Sequence, residues 1–198
     1  SEGVVLGAEE KIETKLQDPN FTWKLYEVDD HLGAAVVGLG SDARILIDQA
    51  RIYSQSNRLM YDEVIDVEVV TKRIGDIKQL YTQHAGVRPF GVSIIFGGID
   101  KTGSRLFATD PSGSIRGWKA VAVGVGKETV EGILKTEYNE KLDIETATKL
   151  AIKSLIKAQE ARGEQPRVKI AVIPAATKKM KQLTDEEIET YRKSIESS

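Results

Sequence analysis

Two helical stripes that follow one another with no strand between them constrain this chain more than any other feature. From Ser41 onward, Ala43, Leu46, Ile47, Ala50 and Tyr53 recur at helical spacing. After Asp66 the same spacing returns in Val67, Val70, Ile74, Ile77 and Tyr81, and the pattern predicts that this second helix stops at Gly86. Between the two stripes stands only the short stretch Leu59-Met60-Tyr61-Asp62. Each stripe is a one-sided apolar face that needs a partner layer. A doubly wound parallel sheet would insert a strand between consecutive helices, so the order found here points away from that class.

The flanking segments supply the sheets. Gly3 to Glu9, Thr22 to Asp29 and Leu32 to Val37 read as strands, interrupted by Asp18-Pro19-Asn20 and Asp29-Asp30. Residues 91 to 123 read as a three-stranded meander with turns at Lys101-Thr102-Gly103-Ser104 and Asp110-Pro111-Ser112-Gly113. Its first run, Val92-Ser93-Ile94-Ile95-Phe96, is too apolar for a strand with one wet face. Two more helices are expected at about 127–139 and 144–161, then a strand from Val168 to Ile173. The run Lys178-Lys179-Met180-Lys181 reads as a solvated connection to a last helix from Asp185. Thr184 and Glu187 have capping-box spacing there, with Leu183 and Ile188 placed to form a hydrophobic staple. The expected fold is α+β: two antiparallel sheets packed face to face between helix layers, a four-layer αββα sandwich formed by one domain over 1–198.

Composition then limits function. A net charge of -2 offers no basic footprint for phosphate, so no nucleic-acid partner is expected. No apolar run reaches the length of a membrane span, and Ser1-Glu2-Gly3 lacks the basic and apolar regions of a signal peptide. The expectation is a cytoplasmic protein without a membrane partner. With no cysteine, thiolate zinc sites, disulfides and a cysteine nucleophile are excluded, and His31 and His84 stand far apart in sequence. Neither a metal nor a cofactor is expected.

Three stretches carry a family resemblance. They are Asp29-Asp30-His31-Leu32-Gly33 leading into Gly38-Leu39-Gly40-Ser41-Asp42-Ala43-Arg44; Tyr81-Thr82-Gln83 with Gly86-Val87-Arg88-Pro89-Phe90-Gly91-Val92-Ser93; and Leu106-Phe107 with Asp110-Pro111-Ser112-Gly113. Together they resemble the α-type subunits of archaeal proteasome core particles, and the last two resemble α subunits rather than their catalytic β relatives. The similarity runs from Gly3 into the final helix. It implies the same four-layer fold, a heptameric α ring and stacking on catalytic β rings. It further implies a non-catalytic subunit that controls the entry of unfolded protein substrates and docks an activating ATPase ring through that ring's C-terminal tails. The family's gating segment, N-terminal helix and first strand are expected to have no counterpart in this sequence, whose first strand matches the family's second.

Candidate site residues follow. The resemblance places Lys24 in a pocket between neighbouring subunits that binds an activator's C-terminal carboxylate, a task suited to a mobile ammonium. Read without the resemblance, Lys24 is an exposed lysine opening a strand. Gly38 and Leu39 match residues near the same pocket, where glycine permits close backbone approach and leucine gives an apolar wall; as residues alone they read equally as a strand-to-helix turn with one core leucine. Arg88, Pro89, Phe90 and Asp110 are candidates for a subunit interface or a structural loop. Arg88 can pair carboxylates within or between subunits. His84 sits where a ring nitrogen can meet the last carbonyls of a helix.

Two enzymatic readings compete. An N-terminal nucleophile hydrolase would use Ser1 with Lys24 nearby, but the family register places the nucleophile on a strand that precedes Ser1. Gly38-Leu39-Gly40-Ser41-Asp42-Ala43 satisfies the G-x-G-x-x-A dinucleotide fingerprint, which also requires a parallel strand after the helix. Gly124-Val125-Gly126-Lys127-Glu128 resembles a phosphate loop, yet Val121 stands where that motif needs glycine and Glu128 where it needs Ser or Thr, so a helix-start turn is expected.

Overall fold

The computed structural model describes residues 2–10, 16 and 24–196. In chain order these residues form β1 (Gly3–Glu9), β2 (Leu25–Asp29), β3 (Leu32–Gly38), α1 (Gly40–Tyr61), α2 (Val67–Gln83), β4 (Val92–Asp100), β5 (Gly103–Thr109), β6 (Ile115–Gly117), α3 (Lys127–Glu137), α4 (Ile144–Glu160), β7 (Val168–Pro174), β8 (Lys181–Gln182) and α5 (Asp185–Glu196). The strands make a five-stranded sheet in the order β2-β3-β4-β5-β6 and a three-stranded sheet in the order β1-β7-β8. Every pairing is antiparallel.

Strand alternation explains why β4 is apolar throughout. Ile94 and Phe96 face α1 and α2 in one core cluster, with Leu46, Ile47, Val70 and Ile74. Ile95 and Ile99 point the other way and meet Val4, Leu6, Ala171 and Ile173 of the smaller sheet. A strand buried on both faces has no wet side to mark with polar residues. A third cluster packs Ile152 of α4 and Ile188 of α5 against Val168 and Ile170 of β7. The layers are therefore helices, sheet, sheet, helices, which is the αββα order that the element pattern predicts.

Several boundaries differ from expectation. Leu59-Met60-Tyr61 is not a connection but the last turn of α1, which ends at Asp62 with φ 54. Arg58 stabilises that turn by donating to Asp29 Oδ1 at 2.7 Å, a contact with the β2–β3 hairpin. Helix α2 stops at Gln83, before Gly86. The meander's third strand is only Ile115–Gly117: Trp118 N still donates to Leu106 O, but 118–123 then run free of the ladder. Lys181 pairs with Val172 in β8, so the lysine run ends in a short edge strand. Thr22 and Trp23, read as part of a strand, lie outside the described residues.

The start of α5 follows the sequence closely. Thr184 N donates to Glu187 Oε2 at 2.9 Å and Glu187 N to Thr184 Oγ1 at 3.2 Å, a complete capping box. Leu183 and Ile188 share one core cluster, as a staple requires.

Candidate functional site

Strand β3 hands over to α1 at Gly38, and its backbone geometry explains the residue. Gly38 has φ +124, and a β-carbon there would stand 2.2 Å from Gly91 O and 2.9 Å from Val92 Cα. Both the dihedral and the space exclude a side chain. A β-carbon on Gly40, two residues later, would meet nothing within 4 Å. Of the two glycines of the fingerprint, only Gly38 is therefore required by the backbone geometry. The fingerprint's other requirement fails, because α1 leads into α2 and β3 pairs antiparallel with β4, so no parallel crossover follows the helix.

Leu39 immediately precedes α1 and is 49% exposed, so it is not a core leucine. Its amide donates to Gly91 O at 2.9 Å, and its carbonyl accepts the first helical bond from Ala43 N at 3.0 Å. Lys24 lies at the same end of the sheet. Its carbonyl accepts from Val36 N at 2.9 Å, which places it across from the residue two before Gly38. Lys24 is half-buried and lines a cavity of about 840 Å³ bounded by β1, the 117–127 segment, α3 and α4, with Leu106, Val121, Leu134 and Leu155 in its walls; Gly38 and Leu39 do not line it.

The loop after α2 closes onto this junction. Arg88 grips Asp42 with both terminal nitrogens, Nη1 to Oδ2 at 2.7 Å and Nη2 to Oδ1 at 2.8 Å, and Nη1 also donates to Pro89 O at 2.9 Å. Asp42 Oδ2 accepts a further bond from Gly91 N at 2.8 Å. The Arg88 fork, with the Gly91 amide, holds the Asp42 carboxyl below the usual carboxylate range despite its burial. This ion pair lies within the chain, the first of the two options open for Arg88. Pro89 is exposed, whereas Phe90 is 7% exposed, sits in the α1/α2 core and meets the Tyr81 ring at 4.7 Å between centroids with the planes tilted by 54°. His84 Nδ1 donates to Leu80 O at 2.9 Å at the end of α2.

Asp110 organises its own turn. Its Oδ1 accepts from Ser112 N, Ser112 Oγ and Ser114 N at 2.9, 2.6 and 3.2 Å. Burial pushes its carboxyl up, but these bonds outweigh that and hold it low. The turn rests on α2, where Gly75 O would be only 2.3 Å from a β-carbon on Gly113.

Asp42 was missed as a site residue in the sequence although it stands inside the first quoted motif. Its only local signal is an acidic side chain in the first turn of a helix, which helix polarity alone accounts for. Its partner is 46 residues away. Ser1 lies outside the described residues. At the other glycine-rich loop, α3 starts at Lys127, and a β-carbon on Gly126 would meet Arg162 Nη1 at 2.4 Å, so packing on Arg162 accounts for that glycine. Among the described residues no group of three His, Asp or Glu side chains is placed to hold a metal ion.

Comparison with known proteins gives the family of the chain. A family model described as "Proteasome subunit" matches residues 1–173. Proteasome subunit alpha of Methanosarcina mazei is 41% identical over 191 residues, 96% of this chain and 77% of that protein. The proteins of the same name from Methanothermobacter thermautotrophicus and Methanocaldococcus jannaschii are 42% and 44% identical, over 96% and 94% of this chain and 77% and 71% of theirs. With the two-sheet sandwich, the family match across most of the chain and relatives at this identity that are all named α subunits, the chain belongs to the proteasome subunit family, on its α-type side.

Proposed function

We propose that this chain acts as a non-catalytic subunit of the proteasome core particle, one of a heptameric α ring stacked on catalytic β rings in the cytoplasm. In that role it controls the passage of unfolded protein substrates and docks an activating ATPase ring by its C-terminal tails. The docking pocket is formed by Lys24, Gly38 and Leu39, with Lys24 meeting the tail carboxylate and Leu39 its apolar part. The observation that carries this reading is Leu39: a large apolar side chain, half exposed, on a strand-to-helix junction whose backbone is hydrogen-bonded on both sides, at the sheet end where Lys24 also stands. An apolar wall and a lysine at the same end of the sheet suit the amphiphilic end of a peptide chain.

The test is activator affinity of assembled full-length particles carrying Lys24→Ala, with native mass as the assembly control. Truncating one partner of a desolvated charge pair costs about 2–5 kcal/mol, so binding should weaken by at least an order of magnitude while rings persist. Unchanged affinity returns Lys24 to an ordinary strand-end lysine, and failed assembly makes its role structural. Fluorogenic peptides assayed with the chain free of β subunits test the non-catalytic part: turnover abolished by Ser1→Ala would sink it.

A further inference from the structure

Leu39 is held by a chain of contacts that runs from the β3–α1 junction to the loop after α2. Its side chain lies over Gly91, so closely that a β-carbon on Gly91 would come within 2.9 Å of Leu39 Cδ1. Its amide is tied to Gly91 O at 2.9 Å. Gly91 is fixed in turn by the bond from its amide to Asp42 Oδ2 at 2.8 Å. Asp42, whose side chain is 8% exposed, is gripped by the two-pronged Arg88 fork. The chain of contacts is Arg88, Asp42, Gly91, Leu39, and every link but the last apolar contact is a hydrogen bond of good length. Arg88 itself is 60% exposed, so its guanidinium has not been drawn in to fill the core.

We propose that Arg88 and Asp42 are positioning residues for the docking pocket: a clamp that holds the Gly91 backbone as the seat of Leu39 and so presets the apolar wall for an incoming peptide terminus. This rests on the assignment of Leu39 to that pocket. The physical reason is preorganisation. An exposed leucine on a loose junction would have to be ordered at the moment of binding, whereas one seated on a fixed backbone has been ordered during folding. The planar fork matters because it fixes the orientation of the Asp42 carboxylate as well as its position, and that orientation aims Oδ2, which accepts from Nη1, at Gly91 N as well.

The experiment uses assembled full-length particles and a fluorescent peptide copying the C-terminal residues of the activating ATPase from the same organism, with its amidated form as control. Arg88→Met should weaken binding of the free-acid peptide roughly three- to tenfold and the amidated peptide by the same factor, because the wall and not the carboxylate contact has been disturbed. Lys24→Ala should instead erase the difference between the two peptides. In a Leu39→Ala background Arg88→Met should have no further effect, a non-additivity that general destabilisation does not produce. Full affinity in Arg88→Met particles, or losses that add to those of Leu39→Ala, overturns the clamp while leaving the pocket standing if Lys24→Ala still weakens binding. Silent Lys24→Ala and Leu39→Ala variants overturn both. Should Arg88→Met prevent assembly, Gly91→Ala decides, since its methyl displaces the Leu39 side chain directly and leaves the ion pair in place: unchanged affinity there also refutes the proposal.

Discussion

Lys78 donates its ammonium to the carbonyl oxygen of Val92 at 3.0 Å from a side chain with no solvent exposure. A second bond reaches Thr109 O at 3.3 Å, so one lysine of α2 ties together the start of β4 and the end of β5. Burial pushes its pKa down to about 8, with the charge of Asp110 opposing. Between that value and the ordinary lysine value of about 10.4 the unfolded chain binds more protons than the folded one, so this group makes stability rise with pH across that window. Relative to a Lys78→Met variant, the native chain should gain on the order of 2–3 kcal/mol in unfolding free energy between pH 7 and pH 10. Parallel denaturant titrations of the two proteins at each pH measure this. Parallel curves would show that the ammonium is not desolvated as its position requires.

The two glycines at the β3–α1 junction should respond oppositely. Gly38→Ala combines a positive φ with a contact of 2.2 Å to Gly91 O and should cost about 2–4 kcal/mol, or prevent folding. Gly40→Ala enters open space at the first residue of α1 and should be neutral or stabilise by up to about 1 kcal/mol. Thermal melts of the two variants read this directly, and equal losses would remove the steric account of the junction.

Acid should release the Arg88–Asp42 contact. The folded-state pKa of Asp42 is depressed by Arg88, so its contribution is fully present above the ordinary carboxylate value of about 3.9 and is lost as pH falls through the depressed value. Asp42→Asn should therefore lower the melting temperature at pH 6, and the gap to the native protein should close as pH falls below about 4. A gap that persists unchanged down to pH 2 would assign the loss to something other than the charge.

Thr184→Ala removes one half of the capping box at α5 and should cost about 1 kcal/mol. Glu187→Gln, which keeps an acceptor for Thr184 N, should cost less. Hydrogen exchange of the α5 amides reports the local effect, and protection equal to the native protein in Thr184→Ala would show that packing of Ile188 alone holds the helix end.

What could be read in the sequence was local or periodic. The stripes of α1 and α2, the doubly buried β4, the turn at Asp110 and the cap at Thr184 follow from spacings within a few residues, and so did the order of layers, because paired helices and antiparallel strands leave few ways to bury their faces. The recognisable motifs also contain Gly38, Leu39 and Arg88. Only the tertiary structure decided that α1 continues through Tyr61, where Arg58 meets Asp29, and that Lys78 is inside although its charge places it with surface residues. It alone joined Arg88 to Asp42 and left Leu39 outside the core. The reason is range: periodicity reports which face of an element is buried, but a pairing across 46 residues has no period, and which polar group is buried depends on the acceptors that folding brings to it.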